Sequence, residues 1–248
     1  MSEALNNLQK YLNKMEQFNH VNTLLYWDMR TNTPKEGFAG HSDALTYFST
    51  EHFSMSTSDE LKEILDALAV PEEFNQLDEK WKFVVTKMKT DMDRDRRIPK
   101  EFFESFVKAQ SESENAWEEA KEKSDFSIFA PHLQKMIEMT EEMTGYTDPG
   151  KEVYDALLDQ YEKGMDSATI DCLFEDLKAE LIPLVQKVLA AEQPDDGKFH
   201  ASFDINAQKE VERLLLTYIG FDWDRGTTGE STHPFTLNFS SKDVRVTN

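Results

Sequence analysis

Residues 5–25 read LNNLQKYLNKMEQFNHVNTLL, and this stretch decides the fold class. Its apolar residues recur mostly three or four positions apart, which places them on one face of an α-helix. They are Leu5, Leu8, Leu12, Met15, Val21, Leu24 and Leu25. Because proline disfavours helix at the residue before it, Thr33-Pro34 predicts where this helix ends. The chain therefore opens on one long amphipathic helix.

The same spacing continues through most of the chain and predicts a succession of further helices. The long ones are expected over residues 100–122, 126–145 and 167–191. Shorter helices are expected from Phe38 to Phe48, after a capping box at Thr57–Glu60, and around Trp81–Met92, Tyr154–Tyr161 and Val211–Tyr218. Gly145 is expected to end the helix over 126–145, and Pro183 to kink the helix over 167–191.

A strand-like pattern occurs only near the end of the chain. Residues Thr236–Phe239 and Val244–Thr247 alternate with a period of two, which is typical of strands. No internal repeat and no linker-like stretch divides the sequence. The prediction is a mainly α fold with long helices and a short β-hairpin near the C-terminus, forming a single helical domain over residues 1–248.

The composition excludes several classes of partner. The chain has 248 residues, of which 39% are apolar, so it can bury a core. Its 27 basic and 48 acidic residues give a net charge of −21, which argues against binding nucleic acid or anionic membranes. No apolar run approaches the roughly 20 residues of a membrane helix, and no secretory signal is present. The single cysteine, Cys172, excludes an internal disulfide and is expected to be a buried, inert thiol; we expect a cytoplasmic protein.

Most catalytic patterns are missing. No two of the six histidines lie four positions apart, so none can present paired imidazoles on adjacent turns of one helix. The sequence contains neither a nucleophile elbow nor a glycine-rich phosphate loop. A glutamate-rich helix face is expected to be a solvated surface; it comprises Glu112, Glu114, Glu118, Glu119 and Glu122. We expect no metal ligands and no catalytic residues within this chain.

Two short motifs near the C-terminus stand out. The first is His233-Pro234-Phe235, and the second is the pentad from Asp243 to Thr247 with Arg245 at its centre. Alternate residues of a strand share a face, so Asp243 and Arg245 can form an ion pair. Taken by themselves, these residues favour structural roles in a loop and a strand.

Together the two motifs resemble the His-Pro-Phe and Asp-x-Arg-x-Thr motifs of the thermostable carboxypeptidases, the carboxypeptidase Taq family of metallopeptidases. Further stretches resemble the family in the expected order along the whole chain. They are Leu25–Gly37 with Trp27-Asp28, Trp117–Lys121 followed by Ser124-Asp125-Phe126 and Phe129-Ala130-Pro131, and Tyr154–Asp159 with Gly164-Met165.

The resemblance implies a cleft-forming helical metallopeptidase, homodimeric when intact, that removes amino acids from the C-termini of peptides with zinc or cobalt. It implies substrate-binding roles for His233 and Arg245. It implies structural roles for four other residues of the two motifs, which are Pro234, Phe235, Asp243 and Thr247. In the family a zinc-binding His-Glu-x-x-His helix follows the second motif. We therefore expect this chain to be the N-terminal portion of a larger catalytic domain, without bound metal and inactive by itself.

A second interpretation remains open at this point. The chain can also be a non-catalytic acidic helical relative, or an interaction scaffold. The coding sequence after Asn248 separates the two interpretations, since only the enzyme requires a His-Glu-x-x-His helix there.

Overall fold

The long N-terminal helix is confirmed: α1 spans Glu3–Thr31 in a computed structural model that describes Ser2–Asn248. Ser2 caps its first turn, because the Ser2 side chain accepts a hydrogen bond from the N–H of Leu5 at 3.3 Å. The helix ends just before Pro34, as the sequence predicts. Local sequence signals therefore fix both ends of α1.

The contacts within the chain fall into two compact units, one made of the chain up to Gly150 together with Thr227–Asn248, the other of Lys151–Gly226. A single domain over 1–248 stays a prediction. The helices of the first unit are α1, α2 (Phe38–Ser56), α3 (Asp59–Ala69), α4 (Pro71–Phe74), α5 (Glu79–Asp95), α6 (Lys100–Lys123) and α7 (Phe126–Thr147). The strands are β1 (Gly226–Gly229), β2 (Thr236–Ser240) and β3 (Asp243–Thr247).

The mainly helical fold and the β2–β3 hairpin are confirmed. The sheet has a third strand that the period-two pattern did not reveal, β1, and the strand order is β1-β3-β2. Glycine and threonine residues make up β1, so it carries no apolar alternation to detect. Within Ser2–Asn248, no helix combines the length and the apolar character that a membrane crossing requires.

The main apolar core joins α1, α3 and α5. Leu8 of α1, Leu65 and Leu68 of α3 and Val85 of α5 are all fully buried. Each such side chain contributes roughly 1.5–3 kcal/mol to folding when it leaves water. The three- and four-residue spacing of the sequence identifies this core correctly on all three helices. It fails in the second half of α1, where Leu24 is exposed.

The contact between α2 and α6 is polar and close. The hydroxyl of Ser42 donates to the hydroxyl of Ser111 at 2.9 Å, and both residues are buried. Thr46 and Thr50 of α2 are buried as well. Small side chains let the two helices approach. The buried hydroxyl of Ser42 finds its partner across the contact, and that of Thr50 donates to the carbonyl of Thr46 on its own helix, whereas the Thr46 hydroxyl has no hydrogen-bond partner among the described residues. Apolar periodicity does not detect such an interface, which is why the predicted end of α2 at Phe48 was too early.

Two predicted helix boundaries are wrong in detail. Ser58, not Thr57, caps α3: its hydroxyl accepts from the N–H of Leu61 at 3.1 Å, while the Thr57 hydroxyl donates to a carbonyl of α2. Gly145 lies inside α7, which continues to Thr147. Glycine ends a helix where the chain must turn left-handed, and at Gly145 the chain does not turn.

The second unit contains α8 (Val153–Tyr161), α9 (Ser167–Ala190) and α10 (Ile205–Tyr218). Asp166 caps α9, because its side chain accepts a hydrogen bond from the N–H of Thr169 at 2.8 Å. The apolar stripe of α9 is present but about half exposed; its members include Leu173, Phe174, Leu177, Leu181 and Val188. Cys172 is exposed too, so the prediction of a buried thiol is wrong. Periodicity predicts an apolar face but not what covers it.

The left-handed residue Ser124 ends α6. Its φ is 52°, and among the described residues it is the non-glycine residue with a positive φ. The next helix begins only two residues later, so the chain must reverse abruptly here. A side chain in this conformation costs about 1–2 kcal/mol, because its Cβ crowds the following carbonyl.

Replacing Ser124 with glycine therefore stabilises the protein. Glycine removes the strain but adds freedom to the unfolded chain, so the expected gain in the free energy of unfolding is on the order of 0.5–1 kcal/mol. Urea unfolding followed by circular dichroism measures it. Ser105→Gly, in the regular part of the same helix, is the matched control and should lose about 0.5 kcal/mol. A loss in both variants would contradict the strain at Ser124.

Candidate functional site

The two C-terminal motifs meet on the small sheet. β3 lies between β1 and β2, and it pairs antiparallel with β2, with Leu237 opposite Arg245 and Thr236 opposite Val246. The second motif is β3 itself. The first motif lies in the loop that leads into β2. The sheet therefore sets the distance between the two motifs.

Arg245 is held by an acid and by two aromatic rings. Its Nε donates to Oδ1 of Asp243 at 3.1 Å and its Nη2 to Oδ2 at 3.0 Å. The guanidinium lies 4.2 Å from the ring centre of Phe239 and 5.7 Å from that of Trp27. These hydrogen bonds hold the pKa of the Asp243 carboxyl below its usual value. The ion pair with Asp243 uses Nε and Nη2 of Arg245, so the N–H groups of Nη1 can donate to another acceptor.

Thr247 fixes the loop that carries the first motif. Its hydroxyl oxygen accepts a hydrogen bond from the N–H of Phe235 at 2.9 Å, and its own N–H donates to the carbonyl of Phe235 at 2.9 Å. The hydroxyl of Ser231 lies 2.6 Å from the Thr247 hydroxyl and 2.8 Å from the carbonyl oxygen of His233. Thr247 is buried, so these bonds are shielded from water. The last residue of one motif thus positions the backbone of the other.

Phe235 joins the sheet to α1. Its ring meets Tyr26 and Trp27 edge-on, with ring centres 5.7 and 5.8 Å apart. Gly229 lets β1 lie directly against the Trp27 ring, because a Cβ at this position would be only 2.9 Å from the ring. Trp27 therefore packs α1 against the small sheet. Asp28 itself accepts from the Thr33 hydroxyl at 3.0 Å and so closes the turn after the helix.

His233 is exposed at the surface of this region. Its ring lies edge-on to the ring of Trp117 on α6, with centres 6.3 Å apart. Within Ser2–Asn248, no hydrogen bond or ring contact joins the side chains of His233 and Arg245. The structure therefore brings Arg245 to Asp243 and Thr247 to Phe235. The side chains of His233 and Arg245, the two residues predicted to bind substrate, do not contact each other.

A cluster of charged side chains, predicted from the sequence to be a solvated surface, lies between α1 and α6. The side chain of Arg30 is only 6% exposed and pairs with Glu118 at 3.1 Å and with Glu114 at 3.6 Å. Its guanidinium also lies near the rings of Tyr26 and Phe38. The prediction of a solvated glutamate face is therefore wrong at Glu114 and Glu118. The signal in the sequence was Arg30, a single cation that follows the aromatic residues Tyr26 and Trp27 on α1.

Burial dominates the electrostatics of this cluster. It raises the pKa of Glu114 above the usual value, although the charge of Arg30 lowers it. Burial also raises the pKa of Tyr26, and the charge of Glu114 adds to that shift. Since each group is partly withdrawn from water, the stability of the cluster depends on the attraction between the positive charge of Arg30 and the negative charges of the two glutamates.

The described residues do not fit a metal ion. In Ser2–Asn248, no three side chains of histidine, cysteine, aspartate or glutamate converge as metal ligands would. A histidine pairs with a single carboxylate at His41–Asp28, 3.0 Å apart, and at His200–Asp196, 2.9 Å apart. A protein zinc site needs at least three ligands, so neither pair suffices to hold a zinc ion.

Thr247→Val tests the link between the motifs. Valine has the same shape as threonine but leaves the Phe235 N–H without its hydroxyl acceptor, so the free energy of unfolding should fall by about 1–3 kcal/mol. Urea unfolding measures the loss. The matched control is Thr236→Val, at an exposed position of β2, which should stay within about 0.5 kcal/mol of the parent. Equal stability of the two variants would show that the Thr247 hydroxyl does not hold the loop.

Two carboxypeptidases match almost the whole chain. Carboxypeptidase 1 of Bacillus subtilis (strain 168) is 37% identical over 237 residues, which is 95% of this chain and 47% of the relative. Thermostable carboxypeptidase 1 of Pyrococcus furiosus is 31% identical over 236 residues, which is 92% of this chain and 46% of the relative. The chain spans about half the length of the curated relatives it matches.

A solved structure and a family model agree with these matches. The crystal structure of BsuCP is similar with a TM-score of 0.94 at 35% identity, over 99% of this chain and 49% of that chain. The family model for carboxypeptidase Taq (M32) metallopeptidase matches residues 7–248. The motifs on the sheet, the order of the helices and these matches lead to one conclusion: the chain belongs to the carboxypeptidase Taq (M32) family of metallopeptidases.

Proposed function

We propose that this chain is the N-terminal half of a metal-dependent carboxypeptidase that removes amino acids from the C-termini of peptides. One observation carries the proposal beyond family membership: Arg245 is fixed in orientation while Nη1 stays available. A guanidinium fork fits a carboxylate well, and a carboxypeptidase must recognise the terminal carboxylate of its substrate. An arginine that is oriented before binding loses little freedom when the substrate arrives.

In this proposal β3 borders the substrate cleft. Because β3 is the central strand, an extended peptide meets the side chains on the face of the sheet rather than pairing with β3. Arg245 steadies the cleft and contacts the substrate carboxylate. His233 donates a hydrogen bond to the substrate carbonyl, where negative charge develops during hydrolysis. Pro234, Phe235, Asp243 and Thr247 support these two residues through the contacts described above.

The metal belongs to the other half of the protein in this proposal. A bound zinc or cobalt ion supplies Lewis-acid activation of the carbonyl and of water. Its ligands are proposed to lie in the half of the relatives that this chain does not span. The proposal includes one catalytic domain that contains residues 1–248, a homodimer and a cytoplasmic location. The net charge of −21 supports the exclusion of nucleic acid and of anionic membranes as partners.

The first test concerns the chain and its reading frame. We expect the coding sequence after Asn248 to continue into a His-Glu-x-x-His helix, and the whole product to cleave blocked dipeptides with added zinc or cobalt. The 248-residue chain alone should give no turnover, because it lacks ligands rather than metal. A stop codon directly after Asn248, with an inactive chain, would favour the acidic scaffold. Turnover by the chain alone would mean that the active site lies elsewhere.

The second test separates the two substrate-binding residues in the whole product. His233→Ala should lower kcat by about 10²–10³-fold with little effect on the melting temperature, as expected for the loss of one donor to a developing charge. Arg245→Lys should mainly raise KM, because lysine keeps the charge but loses the fork.

The matched control is His200→Ala, since His200 is an exposed histidine of the second unit whose side chain is 71% exposed. It should leave kcat, KM and the melting temperature unchanged. If His233→Ala keeps the parental kcat but melts at a lower temperature, His233 is a structural cap and not a substrate-binding residue.

A further inference from the structure

The stretch Trp117-Glu118-Glu119-Ala120-Lys121 has no role in the function proposed so far. It occupies more than one turn of α6, so Trp117 and Lys121, four residues apart, lie on the same face of the helix. The other members have structural partners. Glu118 pairs with Arg30 at 3.1 Å, and Ala120 is buried. The face that Trp117 and Lys121 share points to the loop of His233.

Lys121 holds the residue before His233. Its Nζ donates to the carbonyl oxygen of Thr232 at 2.6 Å, a short contact for a charged donor. The same ammonium lies 5.3 Å from the ring centre of Trp117. The indole thus keeps the lysine extended towards the loop, through an attraction of roughly 0.5–1 kcal/mol at an exposed site. Because Thr232 precedes His233 directly, this bond restrains the peptide group that leads into the histidine.

Trp117 meets the histidine itself. The two rings lie edge to face at an angle of 85°, with centres 6.3 Å apart. Aromatic pairs favour this geometry. The indole therefore limits how far the exposed imidazole can rotate.

The loop is restrained on its other side by β3. Thr247 binds Phe235 through both its hydroxyl and its N–H, and Ser231 bonds to the carbonyl of His233. The sheet thus restrains the backbone from Ser231 to Phe235, while α6 restrains Thr232 and the imidazole. Arg30 ties α6 to α1, so the helix provides a fixed support.

We propose that Trp117 and Lys121 are positioning residues for His233: they hold the loop and the imidazole in the orientation that donates to the substrate carbonyl. The catalytic consequence rests on the proposed function. A donor placed about 1 Å from its productive position can cost on the order of 10²-fold in rate, so an exposed histidine on a loop needs such support. Neither residue touches the substrate in this proposal.

The positioning itself is tested on the 248-residue chain by NMR, without any activity. Histidine ring resonances are few, since the chain has six histidines, and His233→Ala identifies the one that matters. Trp117→Leu should move the ring resonances of His233, and Trp117→Phe should restore most of the parental shift. Lys121→Met should lower the ¹⁵N heteronuclear NOE of the His233 amide, and Lys121→Arg should restore it.

Lys108→Met is the matched control, because Lys108 lies on the same helix and pairs with Asp43 at 3.3 Å, away from the loop. It should leave the His233 signals unchanged. Parental His233 resonances and NOE values in both Trp117→Leu and Lys121→Met would overturn the proposal.

Kinetics of the whole product test the catalytic consequence. Trp117→Leu and Lys121→Met should each lower kcat by about 10- to 100-fold with KM largely unchanged, and the conservative variants should recover most of the rate. A lower melting temperature with the parental kcat would overturn the positioning role in catalysis. If His233→Ala itself leaves kcat unchanged, the proposed function of His233 fails, and the NMR spectra alone decide whether α6 positions the loop.

Discussion

The buried indole of Trp27 is the contact on which the arrangement of the two motifs depends. It is 7% exposed and touches one residue from each motif, Phe235 of the first and Arg245 of the second. It also requires glycine at position 229, since a Cβ there would come within 2.9 Å of the ring. One side chain of α1 thus fixes where a three-stranded sheet lies.

The free-energy contributions indicate that burial of the indole, rather than the ion pair, stabilises this region. Asp243 is 38% exposed in its pair with Arg245, and partly exposed pairs contribute about 0–1 kcal/mol. Burial of a large aromatic side chain, with its edge-on partners, contributes several times more; loss of such a side chain costs about 3–5 kcal/mol. The pair orients the arginine, and apolar packing supplies the stability. This division agrees with the proposed role of Arg245 in binding substrate, because the orientation of the guanidinium is fixed while Nη1 stays free.

Helix α6 carries both the glutamates that pair with Arg30 and the residues that contact the exposed His233 loop. One side of it packs against α2, where the hydroxyl of the buried Ser111 accepts a hydrogen bond from Ser42. Another side carries Glu114 and Glu118, which compensate the buried charge of Arg30. The face with Trp117 and Lys121 reaches the His233 loop. A helix restrained on several sides is a better support for a loop than another loop would be, because its backbone hydrogen bonds are already satisfied.

The sequence by itself determined the helical class, the position of most helices, the β2–β3 hairpin and the motifs that indicate the family. The helices and the hairpin follow from local rules, which are apolar spacing, capping residues, and proline or glycine at turns, while the motifs indicate the family by resemblance. Only the tertiary structure decided that β1 joins the sheet, that Glu114 and Glu118 are partly buried against Arg30, and that Cys172 and the stripe of α9 are exposed. The physical reason is that pairing, burial and compensation of charge depend on residues far apart in sequence. The apolar period of a sequence identifies the apolar face of a helix. Which element packs on that face is decided only when the chain folds.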